Sequence, residues 1–285
     1  LESLIQLPLG QEGEILQAAG ITEFQPGEPT QSPRSREQRL ITVLLNDLVV
    51  LARALSGDER GFLLYWAYRF ELSNLKTILR GKLNGQDANT IRDQLVDMGP
   101  FARLPMEELL RAEDVAELLR QLEGTPFADI ARQARRIFEE RHEPFALDAA
   151  IDRQYFAGLA NRARGAESGA AGRLRALVGS IIDRTNLLWL LRYRFAYGLS
   201  AAEAYYLLIP STYRLGSREL LALSQLGSLE EVIAQLPPPF SIWLAGATNT
   251  TQATHILEQE FWRLAESVLR RSAFNLARAF AYLVL

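Results

Sequence analysis

The sequence predicts an all-α fold built from repeated helical bundles. Three observations carry that prediction. Apolar residues recur at helical spacing along most of the 285-residue chain, no alternating run bounded by turns suggests a strand, and one block of helix and flanking sequence occurs twice. Hydrophobic residues make up 48% and charged residues 23%, the composition of an ordinary globular protein able to bury a sizeable core.

The helices announce themselves in order. Leu40, Leu44, Leu48, Leu51 and Leu55 follow the three-and-four spacing of an apolar stripe. Phe127, Ile130, Ala134, Ile137 and Phe138 do the same behind Pro126, which suits a first helical turn. Between the helices, Gln25 to Arg36 (QPGEPTQSPRSR) is polar and proline-rich and reads as a loop. Asn161 to Gly172 reads as a loop or a weak helix interruption, Leu236 to Pro239 as a helix stop, and Ala245 to Thr251 as a turn.

The duplication is the most informative feature. Glu71, Asn74-Leu75, Leu79-Arg80 and Lys82 recur as Asp183, Asn186-Leu187, Leu191-Arg192 and Arg194, 112 positions later. Downstream, Arg103-Leu104 and Glu108-Leu109-Leu110 answer to Arg214-Leu215 and Glu219-Leu220-Leu221, then Gln121-Leu122 and Pro126-Phe127 to Gln235-Leu236 and Pro239-Phe240. A second element, Ile151, Phe156, Leu159 and Ala160, returns as Ile256, Phe261, Leu264 and Ala265. A unit this long is a duplicated bundle, not a short solenoid repeat. The expected division is a first helical domain over residues 1–145, with a partial N-terminal segment, a second over 146–254, and the start of an incomplete third over 255–285.

On a helix of 100° per residue, Leu72, Leu75, Ile78, Leu79 and Leu83 share one face, Glu71, Asn74 and Lys82 border it, and Arg80 points away. The second copy places Leu187, Leu190, Leu191 and Phe195 on that face, while Leu188 and Trp189 add apolar surface elsewhere. Asn74 and Asn186 read first as hydrogen-bonding groups that fix helix register, and secondly as partner contacts. Arg80 and Arg192 suit an ion pair with a neighbouring helix or contact with a partner. The eight repeated residues Glu71, Asn74, Arg80, Lys82, Asp183, Asn186, Arg192 and Arg194 are thus structural or partner-contact candidates.

Chemistry is hard to find. There is no Walker A loop, no dinucleotide fingerprint, no nucleophile elbow and no zinc-protease motif. There is no cysteine, and the two histidines are His142 and His255. Glu139-x-x-His142 has the spacing of one half of a di-iron site, but the matching second pair is missing, since Gln252 precedes His255 at that spacing. No catalytic, cofactor-binding or metal-ligating residue is therefore expected. Asn249-Thr250-Thr251 fits a glycosylation acceptor pattern and reads as accidental. Arg34, Arg36 and Arg39 form a small basic cluster without interleaved aromatics. The net charge of −3, from 31 basic and 34 acidic side chains, gives no overall drive toward nucleic acid. The richest apolar stretch, Val43 to Ala52, is interrupted by Asn46 and Asp47 and is too short to cross a bilayer.

The two copies of the Asn-Leu helix resemble the recurring helix of the V-type ATPase subunit known as C in bacterial and archaeal enzymes and as d in eukaryotic ones. Pro144 to Phe156 is similar to that family's next helix, and Ala277 to Leu285 to the helix of its last domain. Two features differ: the family has a further helical stretch before the position of Leu1 and a third Asn-Leu motif after that of Leu285. The resemblance implies three similar helical domains around a pseudo-threefold axis, forming a funnel. It implies a non-catalytic rotor adaptor whose wide end sits on the membrane rotor ring and whose hollow receives the tip of the central stalk. That adaptor would be cytoplasmic, held at the membrane through the complex, without a transmembrane segment, cofactor or nucleic acid, and monomeric when isolated. The other class compatible with the composition is a general helical scaffold that binds a partner helix in a groove. A helical-bundle enzyme with an unrecognised site is the third.

Overall fold

The computed structural model describes residues 33–141, 144–166, 172–210, 213–273 and 275–285. These form fourteen α-helices and no strand. They are α1 (Pro33–Arg53), α2 (Gly57–Leu83), α3 (Ala88–Arg92), α4 (Met106–Arg111), α5 (Val115–Gln121), α6 (Ala128–Arg141) and α7 (Pro144–Ala166). After them come α8 (Arg173–Leu191), α9 (Ala201–Leu207), α10 (Ser217–Ser224), α11 (Leu229–Gln235), α12 (Phe240–Leu244), α13 (Thr250–Arg271) and α14 (Leu276–Val284). The all-α expectation is met.

Chain order reproduces the duplication. The long pair α2 and α7 pack along each other, as do α8 and α13. Between the members of each pair lie four α-helices: α3, α4, α5 and α6 in the first copy, α9, α10, α11 and α12 in the second. The first copy's α6 has 14 residues, its counterpart α12 only 5.

Two hydrophobic cores result. One gathers Leu48 of α1, Phe62, Trp66 and Leu75 of α2, Ile151 and Leu159 of α7, and Phe280 of α14. Phe280 meets the rings of Phe62 and Trp66 edge-on, 5.0 and 6.0 Å between centroids. The other gathers Leu187, Leu190 and Leu191 of α8 with Leu207, Leu220, Val232, Leu244 and Leu257. Helix α7 serves both, turning Leu147, Ile151 and Tyr155 to the first and Ala146, Ala149 and Ala150 to the second. The alanine side lets neighbouring backbones approach closely.

Local signals explain most boundaries. In both copies the corresponding helix, α5 or α11, starts on a side-chain cap: Asp114 accepts from the Glu117 N–H, and Ser228 from the Glu231 N–H. Glu117 and Glu231 reach back to the N–H groups of Glu113 and Gly227. Asn249, the residue of the acceptor pattern, caps α13 by accepting from the Gln252 N–H, and Gln252 accepts in return from the Thr248 N–H.

Three sequence expectations need correction. Helix α1 begins at Pro33, inside the proposed loop, because proline suits a first helical position; residues 25–32 lie outside the described ones. Its fully buried face centres on Ile41, Leu45, Leu48 and Ala52, so Leu40, Leu44 and Leu51 are only half-buried. Residues 161–166 continue α7, and the break comes later. Gly172 there has φ +64, which a glycine adopts without strain, and α8 starts behind it.

Candidate interface: the repeated clamp and the cleft

The eight repeated residues fall into four pairs, three of which form a clamp. The acids come first. Glu71 is 1% exposed and accepts the backbone N–H groups of Arg103 and Leu104 at 3.0 and 2.8 Å. Asp183 does the same for Arg214 and Leu215, at 3.1 and 3.3 Å. These contacted residues are the Arg-Leu pairs that the sequence duplicates, so acid and target recur together. Burial raises the pKa of Glu71, and the two N–H groups pull it back down.

The asparagines make two-way pairs with one peptide unit each. Asn74 donates to the Val96 carbonyl and accepts the Val96 N–H, both at 2.7 Å. Asn186 donates to the Ile209 carbonyl at 2.9 Å and accepts the Ile209 N–H at 2.8 Å. An amide carries both a donor and an acceptor and so replaces a strand neighbour for an otherwise unpaired backbone segment.

The bases finish short helices. Lys82 donates to the carbonyls of Leu110 and Ala112, both at 2.6 Å, at the C-terminus of α4. Arg194 donates to Ser224 and Leu226 at the end of α10, at 2.8 and 3.2 Å, and to Leu199 at 2.6 Å. A cation there satisfies helix-end carbonyls and suits the helix dipole. Acid, asparagine and base thus clamp one irregular stretch, residues 96–112 in one copy and 209–226 in the other. Arg194 does so from a π-helical turn, Arg192–Ala196, where the first copy stays α-helical.

The arginines outside the clamp differ between copies. Arg80 pairs with Asp148 of α7, its Nε 2.8 Å from the carboxylate. Lys76, one turn earlier, pairs with Asp152 at 2.7 Å. In the second copy Leu188, Ala253 and Leu257 replace Lys76, Asp148 and Asp152, and Arg192 is exposed with no ion pair among the described residues. Of the histidine sites, His142 lies outside the described residues, Glu139 pairs with Arg135 at 2.8 Å, and His255 meets Gln259 at 2.9 Å. No group of three potential metal ligands occurs among the described residues, and no described helix is long and apolar enough to cross a membrane.

One open cleft of about 540 Å³ lies where α2, α7, α8 and α13 converge. Arg69 stands over the rings of Trp66 and Phe70 at 5.5 and 5.4 Å, and Arg184 over Phe261 at 4.8 Å. Lys76 and Asp152 form their pair on the same wall, and Trp189 and Trp262 supply apolar surface. The arrangement offers cations on aromatic backing, a surface for recognition. Sequence reading missed Arg69, Arg184 and Trp262. Arg184 had a signal, because it interrupts the apolar stripe at the position of Leu72 in the other copy.

Comparison with known proteins gives this duplicated bundle a family. Residues 14–285 match the sequence model of the ATP synthase (C/AC39) subunit family. The chain belongs to that family. It is similar to the A-type ATP synthase C subunit of Methanocaldococcus jannaschii, 28% identical over 200 residues, covering 70% of this chain and 50% of the relative. The A-type ATP synthase C subunit of Thermococcus kodakarensis is 26% identical over 201 residues, 70% of this chain and 52% of the relative. That of Methanothermobacter thermautotrophicus is 26% identical over 210 residues, 73% and 54%. The chain spans about half the length of these relatives. In this C/AC39-family chain the duplicated helices α2 and α8 both lie within the matched region.

Proposed function

We propose that this chain is the non-catalytic rotor adaptor of an A/V-type ATPase or ATP synthase, joining the central stalk to the membrane rotor ring. The family match over residues 14–285 carries the proposal. The relatives bear the name of an ATP synthase subunit, and a rotary complex needs a stiff element between stalk and ring. The clamp suits that demand, since each copy ties a long helix to its following loop through buried hydrogen bonds, which resist shear better than apolar contact alone. The cleft is the surface proposed for the tip of a stalk helix, with Arg69 and Arg184 facing its acidic side chains and the tryptophans its apolar ones.

The direct test is affinity purification of the tagged protein from native membranes in mild detergent, with partners identified by mass spectrometry. Stalk, catalytic and ring subunits of one rotary ATPase are expected together. Recovery of none of them with a folded protein would sink the proposal. Arg69→Glu is expected to weaken stalk recovery about tenfold while leaving the fold intact, because Arg69 is exposed and loses only a local contact.

A further inference from the structure

A second cavity, of about 300 Å³, opens between α8, α12 and α13. Arg184, Arg214 and Arg263 line it together with Glu260, Ser180 and Ser267. Arg263 is paired with Glu260. Arg184 and Arg214 have no carboxylate partner among the described residues; their guanidinium groups lie near the rings of Phe261 and Tyr213, at 4.8 and 5.5 Å. The hydroxyls of Ser180 and Ser267 make no hydrogen bond to any described residue. Two cations and two hydroxyls therefore face one cavity with their donors unused.

The first copy shows what this place holds when it is only packed. There Tyr68, Leu72, Tyr155, Gly158 and Arg162 occupy the positions of Ser180, Arg184, Glu260, Arg263 and Ser267. The rings of Tyr65, Tyr68 and Tyr155 fill the space, with centroids 5.4 and 5.5 Å apart, and Arg162 stacks on Tyr65 at 3.7 Å. The second copy has lost these rings: Ser180 and Glu260 stand in place of Tyr68 and Tyr155, Arg184 replaces Leu72, and Arg214 keeps the place of Arg103. Arg184 is half-buried, and burial lowers its pKa even though the charge of Glu258 opposes the shift. A half-buried guanidinium whose electrostatic relief comes from the charge of Glu258 without a direct ion pair gains from a bound anion.

We propose that this cavity binds a small phosphate-type oxyanion, held by Arg184 and Arg214 with the Ser180 and Ser267 hydroxyls as further donors, and with an apolar body against Phe240, Trp243 and Phe261. Guanidinium groups match the paired oxygens of such an anion, and its remaining oxygens accept from the hydroxyls. The cavity exceeds the size of a lone oxyanion and falls at the small end of ligand sites, which fits a compact phosphate ester. The site does not depend on the coupling role. Arg184 stands on the wall between cavity and cleft, so an occupied cavity would fix one side of the cleft.

The test is isothermal titration of the whole chain with inorganic phosphate and with phenyl phosphate in a low-salt chloride buffer. Saturable one-site binding is expected for both, tighter for phenyl phosphate. Arg184→Leu, which restores the residue of the first copy, and Arg214→Ala are each expected to weaken it tenfold or more, while Arg120→Ala on distant α5 leaves it unchanged. Arg214 is exposed, so its variant decides the matter if Arg184→Leu fails to fold. Absence of saturable binding by either probe, affinities in Arg184→Leu and Arg214→Ala within twofold of the parent, or equal loss in Arg120→Ala would each overturn the site. Equal affinity for the two probes would overturn the apolar part of it. None of these outcomes bears on recovery of rotary-ATPase subunits.

Discussion

The pair α2–α7 and its copy α8–α13 share a clamp and differ in how their facing surfaces are closed. In the first, Lys76–Asp152 and Arg80–Asp148 bridge the two helices, and three tyrosine rings fill the space beyond. In the second, Ala253 and Leu257 stand where the bridging acids were, Arg192 is left exposed, and a cavity lined by arginines replaces the rings. Clamp geometry persists because it satisfies backbone groups, a need that every copy of the loop shares. The interhelical face has no such obligation, so one copy is packed shut and the other presents donors.

The largest expected effect breaks the clamp itself. Asn186→Leu strips both hydrogen bonds from the Ile209 peptide, which is fully buried, and is expected to destabilise the chain by about 3 kcal/mol. Asn74→Leu is expected to cost less, about 2 kcal/mol, because Val96 is partly open to water and can recover one bond there. Urea unfolding midpoints of the two variants measure the difference; equal losses would mean that burial of the peptide does not set the cost.

Next comes the helix contact. A Cβ at Gly158 would run into the Tyr65 side chain, whereas the matching position carries Arg263. Gly158→Ala is expected to cost about 1–3 kcal/mol through overpacking. Combining it with Tyr65→Leu, the residue found at position 177 of the second copy, is expected to recover part of that loss. A double variant no more stable than the sum of the two single ones would refute the proposed contact.

A smaller effect is expected from Asp152→Asn, about 1 kcal/mol, since the Lys76 pair is partly shielded from water but still reaches it. Thermal denaturation at low and high salt checks this, the gap between parent and variant narrowing as salt screens the pair.

The smallest effect is a pH dependence in the first clamp. Burial raises the Glu71 pKa above its ordinary 4.5. The folded chain therefore holds that proton more tightly than the unfolded one. The stability linked to it is complete below pH 4.5 and is lost as pH rises through the folded pKa. Glu71→Gln removes the titration, so the stability difference should shift toward the variant across that window and then level off. A difference that stays constant from acid to neutral pH would show that the two backbone N–H groups cancel the burial.

The repeated Glu/Asp, Asn and Lys/Arg were legible in the sequence as a spaced set on one helix, as were their Arg-Leu targets. What they do was not, because all the targets but Leu199 lie 22 to 33 positions along the chain and the bonds run to backbone atoms that every residue possesses. Arg80 and Arg192 looked equivalent, and only the partners on α7 and α13 separate them. The π-helical turn at Arg192–Ala196 left no periodic signal, since it adds one residue within a helix that otherwise reads as continuous.

By itself the sequence determined that the chain is helical, duplicated and without a familiar catalytic motif, because period, spacing and residue type are local properties that survive without coordinates. Tertiary structure alone decided which face of α1 is buried, which arginine finds an acid, and where the cavities open. Those outcomes depend on side chains brought together from distant helices, and one substitution at such a meeting point, tyrosine to serine or leucine to arginine, turns a filled core into a lined cavity.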